Sequence, residues 1–201
     1  MRLRNIPDAL ERIQNQNLLV KTPWNIDDSW IIEIGMGKGK MISQLAFDNP
    51  NKNFLGVEKY PSAAVKSIKY VKKYNLSNFF ILISDAKDLL DQIKGKASTI
   101  WLTFPDPWPK NRHYKRRLTY KDFLKIYANL LVKEGILKLK TDNLKFFEFS
   151  IESLKENGWK ITYQTNDLQN SLVNSSNIKT TYEEKWVNLN YKIHYLEAIF
   201  I

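Results

Sequence analysis

The 201-residue chain carries 31 lysines and arginines against 21 aspartates and glutamates, a formal charge of +10, with a pI near 9.5. Such a surplus favours an anionic partner, nucleic acid foremost, on a chain whose 43 % hydrophobic content is ordinary for one globular core. The absence of cysteine excludes disulfides, thiolate metal sites and a cysteine nucleophile, and with only 2 histidines no structural metal is expected. No apolar run approaches the roughly 20 residues of a membrane helix. Arg2 and Arg4 lead into Asn, Asp, Glu and Gln, unlike a secretory leader. The expectation is a cytoplasmic protein, monomer or homodimer, with no membrane association.

In chain order, residues 1–28 lack a sustained period beyond a short helix over Pro7–Asn15. They are expected to form an N-terminal arm crossing the surface, ahead of a single domain spanning residues 29–201. Trp30–Ile34 is a short apolar strand that ends at Gly35-Met36-Gly37-Lys38-Gly39. Met41, Ile42, Leu45 and Ala46 then line one face of a helix that Asn49-Pro50 stops. A second strand, Asn53–Val57, ends at Glu58. Pro61 opens the next helix where its missing N–H costs nothing, with Ala64, Ile68 and Val71 inward. A third strand, Phe79–Ile83, ends at Ser84-Asp85-Ala86, and Thr99–Phe104 is the fourth. Thr119–Val132 reads as a helix, with Thr119 and Asp122 resembling a capping pair and Gly135 closing it. The fifth strand, Ile136–Lys140, runs into Thr141-Asp142, and a helix through Phe147, Ile151 and Leu154 reaches Gly158. Trp159–Gln164 and Tyr191–Phe200 are the last strands, separated by Thr165–Asn190, a long polar loop. Strand and helix alternating with short connections predict an α/β fold, an open and largely parallel sheet with helices on both faces.

In such sheets ligands bind outside the carboxyl ends of the strands, near the switch point. Here those ends carry Gly35 to Gly39, Glu58, Asp85, Asp106 and Asp142 in succession, a regularity that folding alone does not require. Glycines let the backbone turn tightly and approach a ligand, although they also close ordinary βα turns. Glu58 lies about where an acid accepts hydrogen bonds from a ribose. Lys40 stands where the dinucleotide fingerprint needs its third glycine. The pattern therefore points to a nucleoside-bearing cofactor without a pyrophosphate and away from a nicotinamide dehydrogenase.

After the fourth strand, three prolines within Pro105–Pro109 remove backbone donors and fix φ, so the ladder stops and a stiff loop begins. Asp106 sits in that loop near Trp108. Lys110, Arg112, His113, Lys115, Arg116 and Arg117 follow, with Tyr114 among them. An acid, an aromatic and a phosphate-sized basic patch at a strand end suit chemistry on a polyanion. The same residues would also make a proline-stiffened surface loop with a solvated charge run.

The stretch Glu33-Ile34-Gly35-Met36-Gly37-Lys38-Gly39 resembles the first motif of S-adenosylmethionine-dependent methyltransferases. Phe104-Pro105-Asp106-Pro107-Trp108-Pro109-Lys110, with the basic run to Arg117, closely resembles the signature of the bacterial tRNA (guanine-N7-)-methyltransferase family. Lys140-Thr141-Asp142 and Thr180-Thr181-Tyr182-Glu183 are also similar to that family's pattern, and the likeness covers about Trp30 to Phe200. The resemblance implies a Rossmann-like class I methyltransferase, with a seven-stranded, mostly parallel sheet and a final antiparallel strand. It implies S-adenosyl-L-methionine as methyl donor, contacted by Glu33, Gly35, Gly37, Gly39, Glu58, Asp85, Ala86 and Asp106, with Asp106 also catalytic. It implies tRNA as substrate, held by Lys110, Arg112, Lys115, Arg116, Arg117, Asp142, Thr180, Thr181, Tyr182 and Glu183. Thr181 and Glu184 have the same spacing as Thr180 and Glu183; Tyr182 before the glutamate favours the latter pair.

The chemistry suits these residues. Guanine N7 carries an in-plane lone pair and no proton at neutral pH, so it can attack a methyl group without an enzyme nucleophile. A catalytically idle tRNA-binding module would not need Glu58 or Asp85. Methyl transfer to a small molecule would give the cationic loop no purpose.

Overall fold

The computed structural model describes residues 4–201; the first three residues of the arm, Arg2 among them, lie outside it. Seven strands form the main sheet: β1 (Trp30–Ile34), β2 (Asn53–Glu58), β3 (Phe79–Ile83), β4 (Ala97–Thr103), β5 (Leu131–Thr141), β6 (Trp159–Thr165) and β7 (His194–Phe200). Their order across the sheet is 3-2-1-4-5-7-6. β1 to β5 run parallel to one another, while β7 is antiparallel to both β5 and β6. The chain moves outward from β1 to β3, then returns to lay β4 on the other side of β1. That reversal puts the switch point between β1 and β4. The α/β sheet with a final antiparallel strand is as the sequence led us to expect.

The helices are α1 (Ala9–Gln14), α2 (Lys40–Asp48), α3 (Pro61–Ala64), α4 (Ile68–Tyr74), α5 (Leu89–Gln92), α6 (Lys121–Leu130), α7 (Leu144–Glu156) and α8 (Thr181–Val187). Leu55, Ile32, Ile100 and Leu137 stand side by side in register and are fully buried. They meet Leu124, Tyr127 and Leu130 of α6 and Phe146, Phe147 and Leu154 of α7 in one cluster. On the other face Phe54 and Phe79 pair in register beneath Ile13 of α1, Ile42 and Ala46 of α2, and Ala64 of α3. With both faces covered, the strands must be apolar nearly throughout. Each such side chain contributes roughly 1.5–3 kcal/mol on burial.

The arm is part of this packing. The amide of Ile81 donates to Leu18 O at 2.7 Å and that of Val20 to Ile81 O at 3.0 Å, so the outer edge of β3 is paired rather than open. Trp24–Asn25 pairs with Ile93–Lys94 as a small separate ladder.

Several boundaries differ from the sequence reading, and Gly135 lies inside β5 instead of closing α6. Thr119 is not a helix cap: its hydroxyl lies 2.8 Å from Ser150 Oγ and its carbonyl accepts from Ser153 Oγ at 2.6 Å, fastening the chain to α7. Helix α6 therefore begins at Lys121. Strand β5 begins at Leu131, which pairs with Ala97 before a register shift, and regular pairing resumes at Ile136 with Thr99. The segment Thr165–Asn190 is more than a loop, since it contains α8 and two 3-10 turns, and β7 starts at His194. Trp186 packs against the cluster of Leu168, Ile193 and Tyr195, and this tertiary contact supports a helix too short to hold on propensity alone. Among the described residues no helix is long and apolar enough to cross a membrane.

One glycine inside the sheet is explained by what lies over it. A Cβ at Gly56 would fall 2.0 Å from Met36 Sδ, so the side chain of the glycine turn lies flat across β2. Gly56→Ala is expected to push Met36 aside and to destabilise the fold by about 1–3 kcal/mol, measured by urea unfolding. An unchanged midpoint would mean that Met36 swings free and does not fasten the turn.

Candidate active site

Because β1 to β4 are parallel, their carboxyl ends share one rim, and a cavity of about 690 Å³ opens there. Its lining includes Gly35, Glu58, Asp85, Ala86 and Asp106 from the strand ends, Trp108, Lys115 and Arg116 from the proline-basic loop, and apolar Ile34, Val57, Leu118 and Phe123. This size suits a nucleoside-bearing ligand. Gly35 and Gly37 have φ of +76° and +56°, and a Cβ built on either meets nothing within 4 Å. The backbone there faces open space, which a ligand can approach closely.

The acids are held by donors. Glu58 accepts from the Gly37 amide at 2.9 Å and from the Tyr60 amide at 3.0 Å, so its carboxylate is fixed while each oxygen keeps a second lone pair. Asp85 accepts from Lys59 Nζ at 2.8 Å and from the Lys87 amide at 3.2 Å. Burial pushes the Asp85 carboxyl up, but these bonds outweigh it and leave the group below the usual carboxylate range. Asp106 is exposed at the mouth, on the wall of the cavity.

The loop that carries Asp106 is strained and clamped. Phe104 and Trp108 adopt φ of +50° and +42°, a left-handed backbone that non-glycine residues rarely take. Arg117 holds the turn: its Nε donates to Pro107 O at 3.0 Å and an Nη to Trp108 O at 3.2 Å, with the guanidinium 4.3 Å over the Phe149 ring. The Arg116 guanidinium sits 5.0 Å over the Trp108 ring and His113 meets it edge-on at 5.7 Å. Lys110, Arg112, Lys115 and Arg116 remain exposed.

A strap closes over the end of β5. Lys140 Nζ is buried, donates to Ile178 O at 2.9 Å and to Asn177 Oδ1, and lies 3.3 Å from Glu183 Oε2. Its ammonium also stands 5.2 Å over the Trp101 ring. Burial pushes the Lys140 amine down, and the Glu183 carboxylate pulls it back up. Thr180 and Glu183 form a capping box at the start of α8, Thr180 Oγ1 accepting from the Glu183 amide at 2.9 Å. Of the alternative pair, Glu184 is in an ion pair with Lys40. Thr181 and Tyr182 are exposed; the Tyr182 hydroxyl donates to Asp142 Oδ2 at 3.1 Å and its ring lies 5.0 Å from Phe104.

Of the expected contact residues, the cavity wall thus gathers Gly35, Glu58, Asp85, Ala86, Asp106, Lys115 and Arg116. Tyr182 lies beside Phe104 and holds Asp142, but neither they nor Thr180, Thr181 and Glu183 line the cavity. Gly37 and Gly39 shape the turn behind Gly35. Glu33 is one layer back: it is fully buried, Oε1 accepts from Thr103 Oγ1 at 2.5 Å, and Oε2 has no partner. Burial pushes the Glu33 carboxyl up to about 7, against the Thr103 hydrogen bond and the Lys140 charge. Sequence reasoning missed Lys59, Tyr60, Thr103 and Phe123 on the wall, as well as the tie at Lys140. A signal for the tie existed, because a lysine in a central buried strand demands a partner. Among the described residues no group of acids and histidines could hold a metal.

The doubly wound sheet is a methyltransferase fold. The chain superposes on an antibiotic-related methyltransferase with a TM-score of 0.66 at 20 % identity, covering 100 % of this chain and 97 % of that one. It superposes on the 16S rRNA methyltransferase KamB with a TM-score of 0.65 at 14 % identity and the same 100 % and 97 % coverage. Residues 27–196 match a family described as putative methyltransferase. The sequence is 99 % identical to the tRNA (guanine-N(7)-)-methyltransferase of Mesomycoplasma hyopneumoniae strain 232, over 100 % of both chains. It is 48 % identical to the protein of that name from Mycoplasmopsis pulmonis, over 100 % of this chain and 99 % of the other. The chain belongs to the tRNA (guanine-N(7)-)-methyltransferase family.

Two outcomes test the electrostatics. Lys140→Met leaves the buried Glu183 carboxylate without its counter-ion, with only the Asn177 side-chain amide and the Thr180 backbone amide as donors, and is expected to cost roughly 3–5 kcal/mol of unfolding free energy. The double variant Lys140→Met/Glu183→Gln should recover most of it; no recovery would show that the pair does not act as a unit. For Glu33, the unfolded carboxyl ionises near its ordinary value of 4.5 and the folded one near 7. Between those values the unfolded chain has lost a proton that the folded one keeps, so stability falls as pH rises, by roughly 3 kcal/mol in all. Glu33→Gln should flatten that slope in unfolding curves taken from about pH 4.5 to 7.5, and an unaltered slope would place its origin elsewhere.

Proposed function

We propose that the chain transfers a methyl group from S-adenosylmethionine to N7 of the guanine in the variable loop of tRNA. The observation that carries the reading is a nucleoside-sized cavity where acid-bearing strand ends converge, with Asp106, Lys115 and Arg116 at its mouth. Bound there, S-adenosylmethionine supplies an electrophilic methyl on a sulfonium. The fit rests on the open approach at Gly35 and Gly37, on a Glu58 carboxylate with free lone pairs for a ribose diol, and on apolar Ile34, Val57, Leu118 and Phe123 for a flat base. Asp85 and Ala86 line the same cavity and would hold the base.

N7 needs no general base, because it attacks through its own lone pair. The net charge of the site does not change as the purine becomes cationic, so Asp106 helps only if it meets the transition state better than the ground state. At the mouth it can accept from the N1–H and N2–H₂ edge of the guanine while positive charge grows on that ring. Alignment is worth about 7–11 kcal/mol in such reactions. The clamp from Arg117 to the Pro107 and Trp108 carbonyls supports a positioning role for that arginine, whereas Lys110, Arg112, Lys115 and Arg116 face solvent as phosphate contacts would. Tyr182, Thr181 and Asp142 suit the incoming base; Thr180 and Glu183 hold the helix that presents them.

Labelled S-adenosylmethionine should methylate unmodified tRNA, and a variant with adenine in place of the variable-loop guanine should not react. Equal labelling of both would refute the assigned target. Asp106→Ala is expected to lower kcat by roughly 10²–10³ with donor affinity within a few-fold of wild type. Matched losses in the two would make it a donor ligand only.

A further inference from the structure

A second cationic surface leaves the cavity rim behind β2. Lys59 and Tyr60 line the cavity, Pro61 opens α3 immediately after them, and the helical run continues through a 3-10 turn into α4, ending at Tyr74. That is about 20 Å of helix. It carries Lys66, Lys69, Lys72 and Lys73, and among the described residues none of the four lies within ion-pair distance of a carboxylate. No residue of α4 is fully buried.

The side chains on α4 form two adjacent ladders. Lys69 and Lys73 are one turn apart, as are Tyr70 and Tyr74, and each ammonium lies over the neighbouring ring, at 4.5 Å and 4.8 Å. Phe47 at the end of α2 is 52 % exposed and stacks on Tyr74 at 5.0 Å with an interplanar angle of 29°. The Tyr74 hydroxyl donates to Gln44 Oε1 at 2.7 Å, which fixes the ring beneath Phe47.

Folding does not ask for this arrangement. Like charges one turn apart disfavour a helix. The helix dipole favours Lys72 and Lys73 in the last turn, but not Lys66 or Lys69, and it gives no reason for an exposed phenyl ring. Ammoniums with no carboxylate partner beside aromatic rings are what a nucleic acid uses: phosphates meet the charges and an unstacked base meets a ring. The protein's charge of +10 has the matching sign.

We propose that α4 together with Phe47 is a second contact for tRNA, presupposing the tRNA reaction above, which engages the same molecule whose guanine enters the cavity. The rim holds the reacting nucleotide, and the stripe running from Lys66 down to Lys73 holds backbone and one exposed base further along.

The test uses full-length tRNA and the intact chain, with binding read by filter retention across a salt series and turnover read by labelled methyl. Lys69→Ala/Lys73→Ala is expected to raise the tRNA KM about tenfold. Its log-affinity against log-salt slope should be shallower by roughly 0.7–0.9 for each phosphate left without its ammonium. Neither kcat at saturating tRNA nor donor affinity should move. Phe47→Ala should weaken retention several-fold without altering the slope, and Lys69→Arg/Lys73→Arg should behave as wild type. Lys155→Ala/Lys160→Ala removes the same charge from α7 and the far edge strand β6, and should change KM less than twofold. Equal weakening by the two alanine pairs, or wild-type retention and slope for Lys69→Ala/Lys73→Ala, would overturn the second contact. Because retention is read without turnover, a failure of the proposed reaction shows separately, as binding with no methyl transfer by the wild-type chain.

Discussion

Parallel strands joined by right-handed crossovers must all deliver their carboxyl ends to one rim, and everything at the site follows from that constraint. It places the end residues Glu58, Asp85 and Asp106 around one cavity without any of them having to reach. It also creates a difficulty, since carboxylates gathered at a half-enclosed rim repel each other. The answer is local. Glu58 is balanced by two backbone amides and Asp85 by Lys59 and an amide, while Asp106 stays exposed. The three carboxylates are thereby pre-set on the cavity wall, beside the cations Lys59, Lys87, Lys115 and Arg116.

The second organising interaction is polar and buried. Such ion pairs add little net stability compared with a well-packed apolar substitute, but they punish any arrangement that leaves one partner alone. Lys140 reaches from the sheet to Asn177, Ile178 and Glu183, so only one docking of the strap satisfies all the groups. That docking brings Tyr182 to Asp142 and Phe104. Chain segments about forty residues apart in sequence meet beside the proline loop for this reason, while Arg117 keeps the strained turn at Trp108 in place.

The parts legible in the sequence were those written in short-range pattern. Apolar runs located the strands, Gly35 to Gly39 located the turn, and the order of strand ends foretold that Glu58, Asp85 and Asp106 would gather, though Asp142, expected with them, stands outside the cavity. What escaped depended on distant partners. Thr119 has a capping residue's chemistry, yet its partners Ser150 and Ser153 lie on another helix. Helix α8 is held by a box of side chains and by Trp186 against the Leu168–Ile193–Tyr195 cluster, neither of which gives a periodic signal over seven residues. The basic run read as uniform, but Arg117 differs from its neighbours because two carbonyls of its own loop lie within reach.

The pairing of Lys140 with Glu183 has a consequence for how this chain can change over generations. Either residue replaced singly leaves the other buried without its counter-ion, held only by the neutral groups of Asn177, Ile178 and Thr180, so a one-step path away from the pair passes through a less stable chain. The two positions are therefore expected to drift together or not at all, and an alignment of related chains should show them as a correlated pair even though 43 positions separate them along the backbone.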